Sequence, residues 1–203
     1  MDLQIIFYIA ILVMSAVIHE YMHGFVAFLL GDNTAQREGR LTLNPIAHVD
    51  MFGTILLPLA LYFFSGGNFL FAYAKPVPFN PYNLKYPRWG PAMVGLAGPG
   101  INLLIAVVFG LAVRTLGATP IGEFFAIITW TNIVLAVFNL VPIPPLDGSK
   151  LLYGIFLHAN TRLVETLERY GTWLFILFIF FGFSYITPIM DWLFQLITGA
   201  SRF

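Results

Sequence analysis

Four stretches of the chain are apolar over the length of a bilayer crossing: Leu3 to Leu30, Pro91 to Leu116, Ile121 to Val141 and Thr172 to Thr198. A helix rises about 1.5 Å per residue, so roughly 20 apolar residues cross a hydrocarbon core of about 30 Å. Each stretch is therefore predicted to be a membrane-spanning helix. Between the first and second the pattern changes. Arg37 to Asp50 is polar and irregular, and the alternation from Arg40 to Leu43 predicts a short strand. Met51 to Phe64 is apolar but too short for a crossing, and Gly53 and Pro58 interrupt it. Gly66-Gly67 ends it and a second short apolar piece, Asn68 to Ala74, follows. The pair predicts a re-entrant segment or short hairpin over 51–74. Lys75-Pro76-Val77-Pro78-Phe79-Asn80-Pro81 is expected to be extended, because each proline biases the residue before it away from helix.

Inside the second span, Gly98-Pro99-Gly100-Ile101-Asn102 predicts a kink and a buried asparagine at membrane depth. The third span runs into Asn139-Leu140-Val141-Pro142-Ile143-Pro144-Pro145-Leu146-Asp147-Gly148, where the prolines must break the helix. Such irregular backbone is tolerated at membrane depth only where protein or a water-filled cavity covers it. Ser149 to Leu157 can restart a helix. Thr161 to Tyr170 reads as a separate surface helix with a Glu165–Arg169 pair, and the last span is expected to kink at Pro188. No internal repeat is evident.

Composition agrees with the pattern. The chain has 203 residues, 59% hydrophobic and only 10% charged, where soluble domains carry roughly 25% charge. Mean hydropathy is +0.82. The prediction is an all-α polytopic membrane protein, a helical bundle forming a single domain over 1–203. Net charge is zero, so nothing points to nucleic acid. There is no cysteine, so any metal must be held by His, Asp or Glu. Met1-Asp2-Leu3-Gln4 lacks the basic stretch of a signal peptide, so the first apolar run is expected to be retained.

Positive charge decides the topology. If 51–74 dips in and returns, Arg37, Arg40, Lys75, Lys85, Arg88, Lys150, Arg162 and Arg169 share one side, and only Arg114 and Arg202 face the other. A full crossing would divide them nearly evenly. The re-entrant arrangement puts the N-terminus outside, makes the first and third spans parallel, and brings Asp147 toward the same face as the end of the first span.

The chemistry lies in that first span. His19-Glu20-Tyr21-Met22-His23 is an H-E-x-x-H motif, and residues four apart share a helix face, so the two imidazoles can be directed at one metal ion. Glu20 lies about 100° round the helix, near enough to hold a water without being a ligand. In a soluble helix the motif is a modest signal. Inside a bilayer each such group costs roughly 2–3 kcal/mol or more, which marks a functional site. A catalytic zinc takes three protein ligands and keeps one open position. Candidates for the third ligand are Asp147, Asp50, His48, His158 and Asp191. Asp147 reads equally well as the N-cap of the helix beginning near Ser149, and on the residues alone both readings stand. His48 and Asp50 read more simply as interfacial or capping residues. Asn102 and Asn139 can hydrogen-bond between helices or serve an oxyanion or a ligand.

His19-Glu20-x-x-His23, then Gly98-Pro99-x-x-Asn102, then Asn139-x-x-Pro142 leading to Leu146-Asp147-Gly148, resembles the site-2 protease family of intramembrane zinc metalloproteases. The resemblance covers a three-helix catalytic core, to which a re-entrant segment and an additional C-terminal span are added. No PDZ or CBS domain fits, so the chain looks like a minimal form. The resemblance implies one Zn²⁺ per chain on His19, His23 and Asp147, Glu20 as general base, and a helper role for Asn139. It also implies cleavage in or near a transmembrane segment of a membrane protein substrate within the lipid bilayer. The expected location is the plasma membrane of a prokaryote, with the site toward the cytoplasm. An unwound substrate could pair as an added strand with Arg40–Leu43 or Val77–Phe79. The rival readings are a polytopic metal transporter, using the same ligands in transit, and a catalytically inactive membrane scaffold.

Overall fold

The computed structural model describes residues 3–56, 60, 63–64, 74–156 and 161–200. The described residues are mostly helical and contain no strand. Helix α1 (Leu3–Leu29) is followed, after a run of short turns, by α2 (Gly90–Leu116) and α3 (Pro120–Asn139). Then come α4 (Ser149–Phe156), α5 (Thr161–Leu177) and α6 (Phe183–Thr198). Among the described residues, four helical runs are long and apolar enough to cross a membrane: Ile6–Leu29, Gly90–Leu116, Pro120–Asn139 and Val164–Thr198.

Helix α2 is the centre of the bundle and touches α1, α3, α4 and α6. Its buried small residues, Gly90, Ala92, Gly95, Gly98, Ala106 and Gly110, let neighbouring backbones approach closely. Pro99 does not end the helix, which runs through it. On one side Ala106 and Val113 pack with Ala126, Ile133 and Val137 of α3 and Met190, Phe194 and Ile197 of α6. At the far end the Arg114 guanidinium donates to the carbonyls of Ile197, at 2.7 Å, and Leu196, satisfying the orphan carbonyls that close α6. Outward-facing Ile6, Ile9, Leu12, Phe180, Phe181 and Trp192 form a lipid-compatible surface.

Two expectations need correcting. Arg40–Leu43 is not a strand. Its polar groups are spent locally instead: the Thr42 carbonyl accepts from His48 Nε2 at 2.8 Å, and Thr42 Oγ1 accepts from Asn44 N–H at 3.2 Å. Such short-range bonds compete with a ladder. Nor is Thr161–Tyr170 a separate helix. Through α5, a π-helical turn at Phe178–Gly182 and α6, the chain stays helical across Gly171. Gly171 is a packing residue there: a Cβ would come within 2.6 Å of Pro144 Cβ.

The predicted re-entrant segment falls mostly outside the described residues, which here are the turn Met51–Leu56 and positions 60, 63–64 and 74. Its ends are informative. Lys75 N–H donates to the His48 carbonyl at 2.9 Å, so the chain returns to where it left. Lys85 N–H donates to the Leu30 carbonyl at 2.8 Å, placing the entry to α2 beside the exit from α1. Helix α2 therefore runs antiparallel to α1, and α3 is parallel to it.

Candidate metal centre

His19 and His23 sit one turn apart on the face of α1 that meets α2, each about 5% exposed. Their ring centroids are 4.7 Å apart, edge to face. Asp147, in the irregular link between α3 and α4, reaches in to meet them. Its Oδ2 lies 3.0 Å from His19 Nε2 and 3.0 Å from His23 Nε2. The link is held by Gly148 N–H, which donates to the Asn139 carbonyl at 2.7 Å. The N-cap reading of Asp147 gives way, because both its oxygens are engaged by side chains: Oδ1 accepts from Lys150 Nζ at 2.7 Å.

The outer nitrogen of each ring is also engaged. His19 Nδ1 faces Asn102 Oδ1 at 2.5 Å, and His23 Nδ1 faces the Val94 carbonyl at 2.7 Å. The orientation of the Asn102 amide follows from its own partners. Asn132 Nδ2 donates to the Ile128 carbonyl (2.9 Å) and to Ser15 Oγ (3.0 Å), so its oxygen must face Asn102. Asn102 Nδ2 donates to that oxygen at 2.7 Å, which turns Asn102 Oδ1 toward His19. Both asparagines are fully buried. His19 Nδ1 must therefore carry the proton, leaving the Nε2 lone pair for the interior.

This arrangement calls for a cation. Each ring has an acceptor at both nitrogens, yet a neutral imidazole has only one N–H to give. Two imidazole lone pairs and a carboxylate oxygen consequently converge on one buried point. Ligand atoms about 2.0–2.1 Å from a tetrahedral zinc lie roughly 3.3 Å apart, close to the spacing seen, and N, N, O is a zinc donor set. Gly98 leaves the space: a Cβ there would stand 2.5 Å from both Nε2 atoms.

Glu20 is half-buried at the edge of this point, and His19, Glu20 and His23 offer ligand atoms within 4.8 Å of one another. One carboxylate oxygen, Oε2, accepts the backbone N–H of Val77 at 2.9 Å. Asn139 lies at the end of α3 with its side-chain amide turned to its own helix, donating to the Leu135 carbonyl at 2.9 Å. The other third-ligand candidates among the described residues lie elsewhere. Asp50 Oδ1 accepts Gly53 N–H at 2.6 Å, opening the turn Met51–Leu56, and buried His48 donates to Thr42. Asp191 is on α6, and His158 falls outside the described residues.

Sequence reasoning missed Asn132, Lys150 and the backbone groups of Val94 and Val77. Asn132 had a signal, a wholly polar amide within an apolar span. Lys150 looked like one more flanking charge, and backbone groups leave no trace in a sequence.

The sequence profile of Peptidase family M50 matches residues 113–182, a stretch containing Asn139 and Asp147. YwhC of Bacillus subtilis, described as a candidate zinc metalloprotease, is 34% identical over 201 residues, covering 94% of this chain and 85% of that protein. Rip2 of Mycolicibacterium smegmatis, described in the same words, is 30% identical over 192 residues, covering 91% and 68%. Rip2 of Mycobacterium tuberculosis is 30% identical over 200 residues, covering 93% and 72%. No solved structure matches the chain.

Proposed function

Given that the chain belongs to peptidase family M50 and is a zinc metalloprotease, we propose that it is an intramembrane endopeptidase. Its substrate is a membrane protein, cut in or near a transmembrane segment. A single zinc ion would be held by His19, His23 and Asp147, with Glu20 as general base. The observation that carries the assignment is Asp147 Oδ2 at 3.0 Å from both imidazole Nε2 atoms, although 124 and 128 positions away in sequence.

When bound, zinc lowers the pKa of water and polarises the scissile carbonyl. The chain's own groups do the rest. Asn102 and the Val94 carbonyl hold the imidazoles in one tautomer, and Lys150 holds the carboxylate oxygen that faces away from the rings. Glu20 takes the proton of the attacking water and passes it to the leaving amine. Asn139 would assist at the scissile carbonyl by turning its amide away from Leu135.

A helical substrate hides its carbonyls in its own hydrogen bonds and must unwind before attack. The break at Pro142–Pro145 is the mouth by which water reaches a site otherwise lined by apolar helices. The multi-pass chain belongs in the plasma membrane of a prokaryote with this mouth toward the cytoplasm, supported by the charge asymmetry and the bacterial relatives. Those relatives are described as candidate zinc metalloproteases, which favours the protease over the transporter and scaffold readings.

The test is zinc content and cleavage of a defined membrane protein substrate, for wild type and Glu20→Gln in lipid vesicles. Both proteins should bind about one zinc per chain, and only wild type should cleave. Cleavage retained in the variant would refute Glu20 as the base. Zinc flux across the vesicles without hydrolysis would refute the protease.

A further inference from the structure

Residues 74–80, Ala74-Lys75-Pro76-Val77-Pro78-Phe79-Asn80, run as an extended strap beside Glu20 and Gly24 of α1. Pro76 and Pro78 have no N–H. Between Lys75 and Phe79, therefore, Val77 carries the one amide donor, and that donor is spent on Glu20 Oε2 at 2.9 Å.

The strap owes its position to other bonds. Lys75 N–H donates to the His48 carbonyl at 2.9 Å, and the buried Arg40 guanidinium donates to the carbonyls of Lys75 (2.8 Å) and Pro76 (3.4 Å). Beyond Val77, Asn80 N–H donates to Asp32 Oδ2 at 2.6 Å. The Val77 side chain is buried against Gly24, where a Cβ would come within 2.8 Å of its Cγ1. The Phe79 ring lies 5.5 Å from Lys150 Nζ, the ammonium that grips Asp147. The donor is thus fixed from both sides before it meets Glu20.

We infer that the Val77 backbone N–H is a positioning group for the general base, anchoring Glu20 Oε2 so that Oε1 faces the reacting water. The inference rests on the proposed role of Glu20. A glutamate side chain turns about three bonds, and a base that wanders by an ångström can lose about a hundredfold in rate. The anchor survives the whole proton cycle. The water O–H bond breaks and Oε1–H forms, then Oε1–H breaks as the leaving nitrogen gains its proton, and Oε2 accepts from Val77 throughout. At this point the strap has no free amide N–H to give an unwound substrate, because Pro76 and Pro78 have none and Val77's is taken, so any pairing there would run through its carbonyls.

The test replaces Val77 by its 2-hydroxy acid, turning the Pro76–Val77 amide into an ester that lacks only the N–H. V77A, which keeps the N–H and loses packing, V77P, which deletes the same hydrogen, and E20Q are measured beside it. The ester and V77P should keep full zinc content and a KM within about twofold of wild type, with kcat down about 10–100-fold. V77A should stay within about threefold in kcat. Equal losses in the ester and V77A, a loss confined to KM, or loss of zinc would overturn the inference. Cleavage by E20Q would instead overturn the role of Glu20 itself, so the two failures are separable.

Discussion

The side-chain oxygen of Asn102 accepts the Nδ1–H of His19 at 2.5 Å, and the amide cannot be turned over without breaking a bond elsewhere. Its nitrogen is committed to Asn132, whose own nitrogen is committed to Ser15 and Ile128. A chain of buried amides, begun on α3 and passed through α2, therefore selects the tautomer of a ring on α1.

Removing a link in that chain should be read in the metal. Asn102→Ala should weaken zinc binding about 10–100-fold, the usual cost of losing an outer partner of a ligating histidine. Asn132→Ala touches neither ring and should weaken it less, since it only frees the Asn102 amide to flip. The double variant should be no worse than Asn102→Ala alone, because both act through one ring. Competition against a chromophoric chelator in detergent micelles measures all three. Additive losses would show that Asn132 does not act through Asn102.

Gly98 gives a sharper test of where the ion sits. An added methyl would stand 2.5 Å from both Nε2 atoms, and the rings cannot retreat while Asn102 and Val94 hold their outer nitrogens. Gly98→Ala should therefore bring zinc content to background. Helix α2 itself should not suffer, since alanine is the better helix former by about 1 kcal/mol. Zinc content by elemental analysis and a melting curve in detergent separate the two effects. Stoichiometric zinc in a well-folded Gly98→Ala protein would put the ion somewhere else.

What could be read in the sequence was chemistry carried by side chains in the wrong solvent. Ionisable and amide groups within apolar runs stand out because lipid penalises them, which is how His19, Glu20, His23 and Asn102 were legible. Asp147 stood at a helix break and needed the resemblance to be told from a cap. The geometry then spends its oxygens on His19, His23 and Lys150. Backbone groups were not legible: the Val94 carbonyl and the Val77 N–H act through atoms every residue has. Arg40–Leu43 misled for a related reason, since alternation alone does not show that Thr42 has nearer partners. Thr161–Tyr170 and the last span read as two elements in the sequence, whereas Gly171 packs against Pro144 inside one continuous helical run.

Asp32 ties the end of α1 to the strap, and it should do so only above the pH at which it protonates. Burial pushes its carboxyl up. Hydrogen bonds from the Thr34 hydroxyl (2.6 Å), the Asn83 amide (2.9 Å) and the backbone N–H groups of Asn80 (2.6 Å) and Thr34 (3.2 Å) outweigh that and hold it below the usual value. The folded protein thus binds the proton less readily than the unfolded chain. Its contribution is fully present above the unfolded pKa of about 3.9 and is lost as pH falls through the lower folded value. Asp32→Asn places a donor where only acceptors fit and should cost about 1–3 kcal/mol at neutral pH. The gap between wild type and variant should stay constant from pH 7 to about pH 5, then narrow toward pH 3 as wild type loses what the variant never had. Unfolding in mixed micelles with increasing SDS, run across that range, measures the gap directly. A gap that did not change with pH would mean that the Asp32 contacts stabilise through shape alone and not through charge.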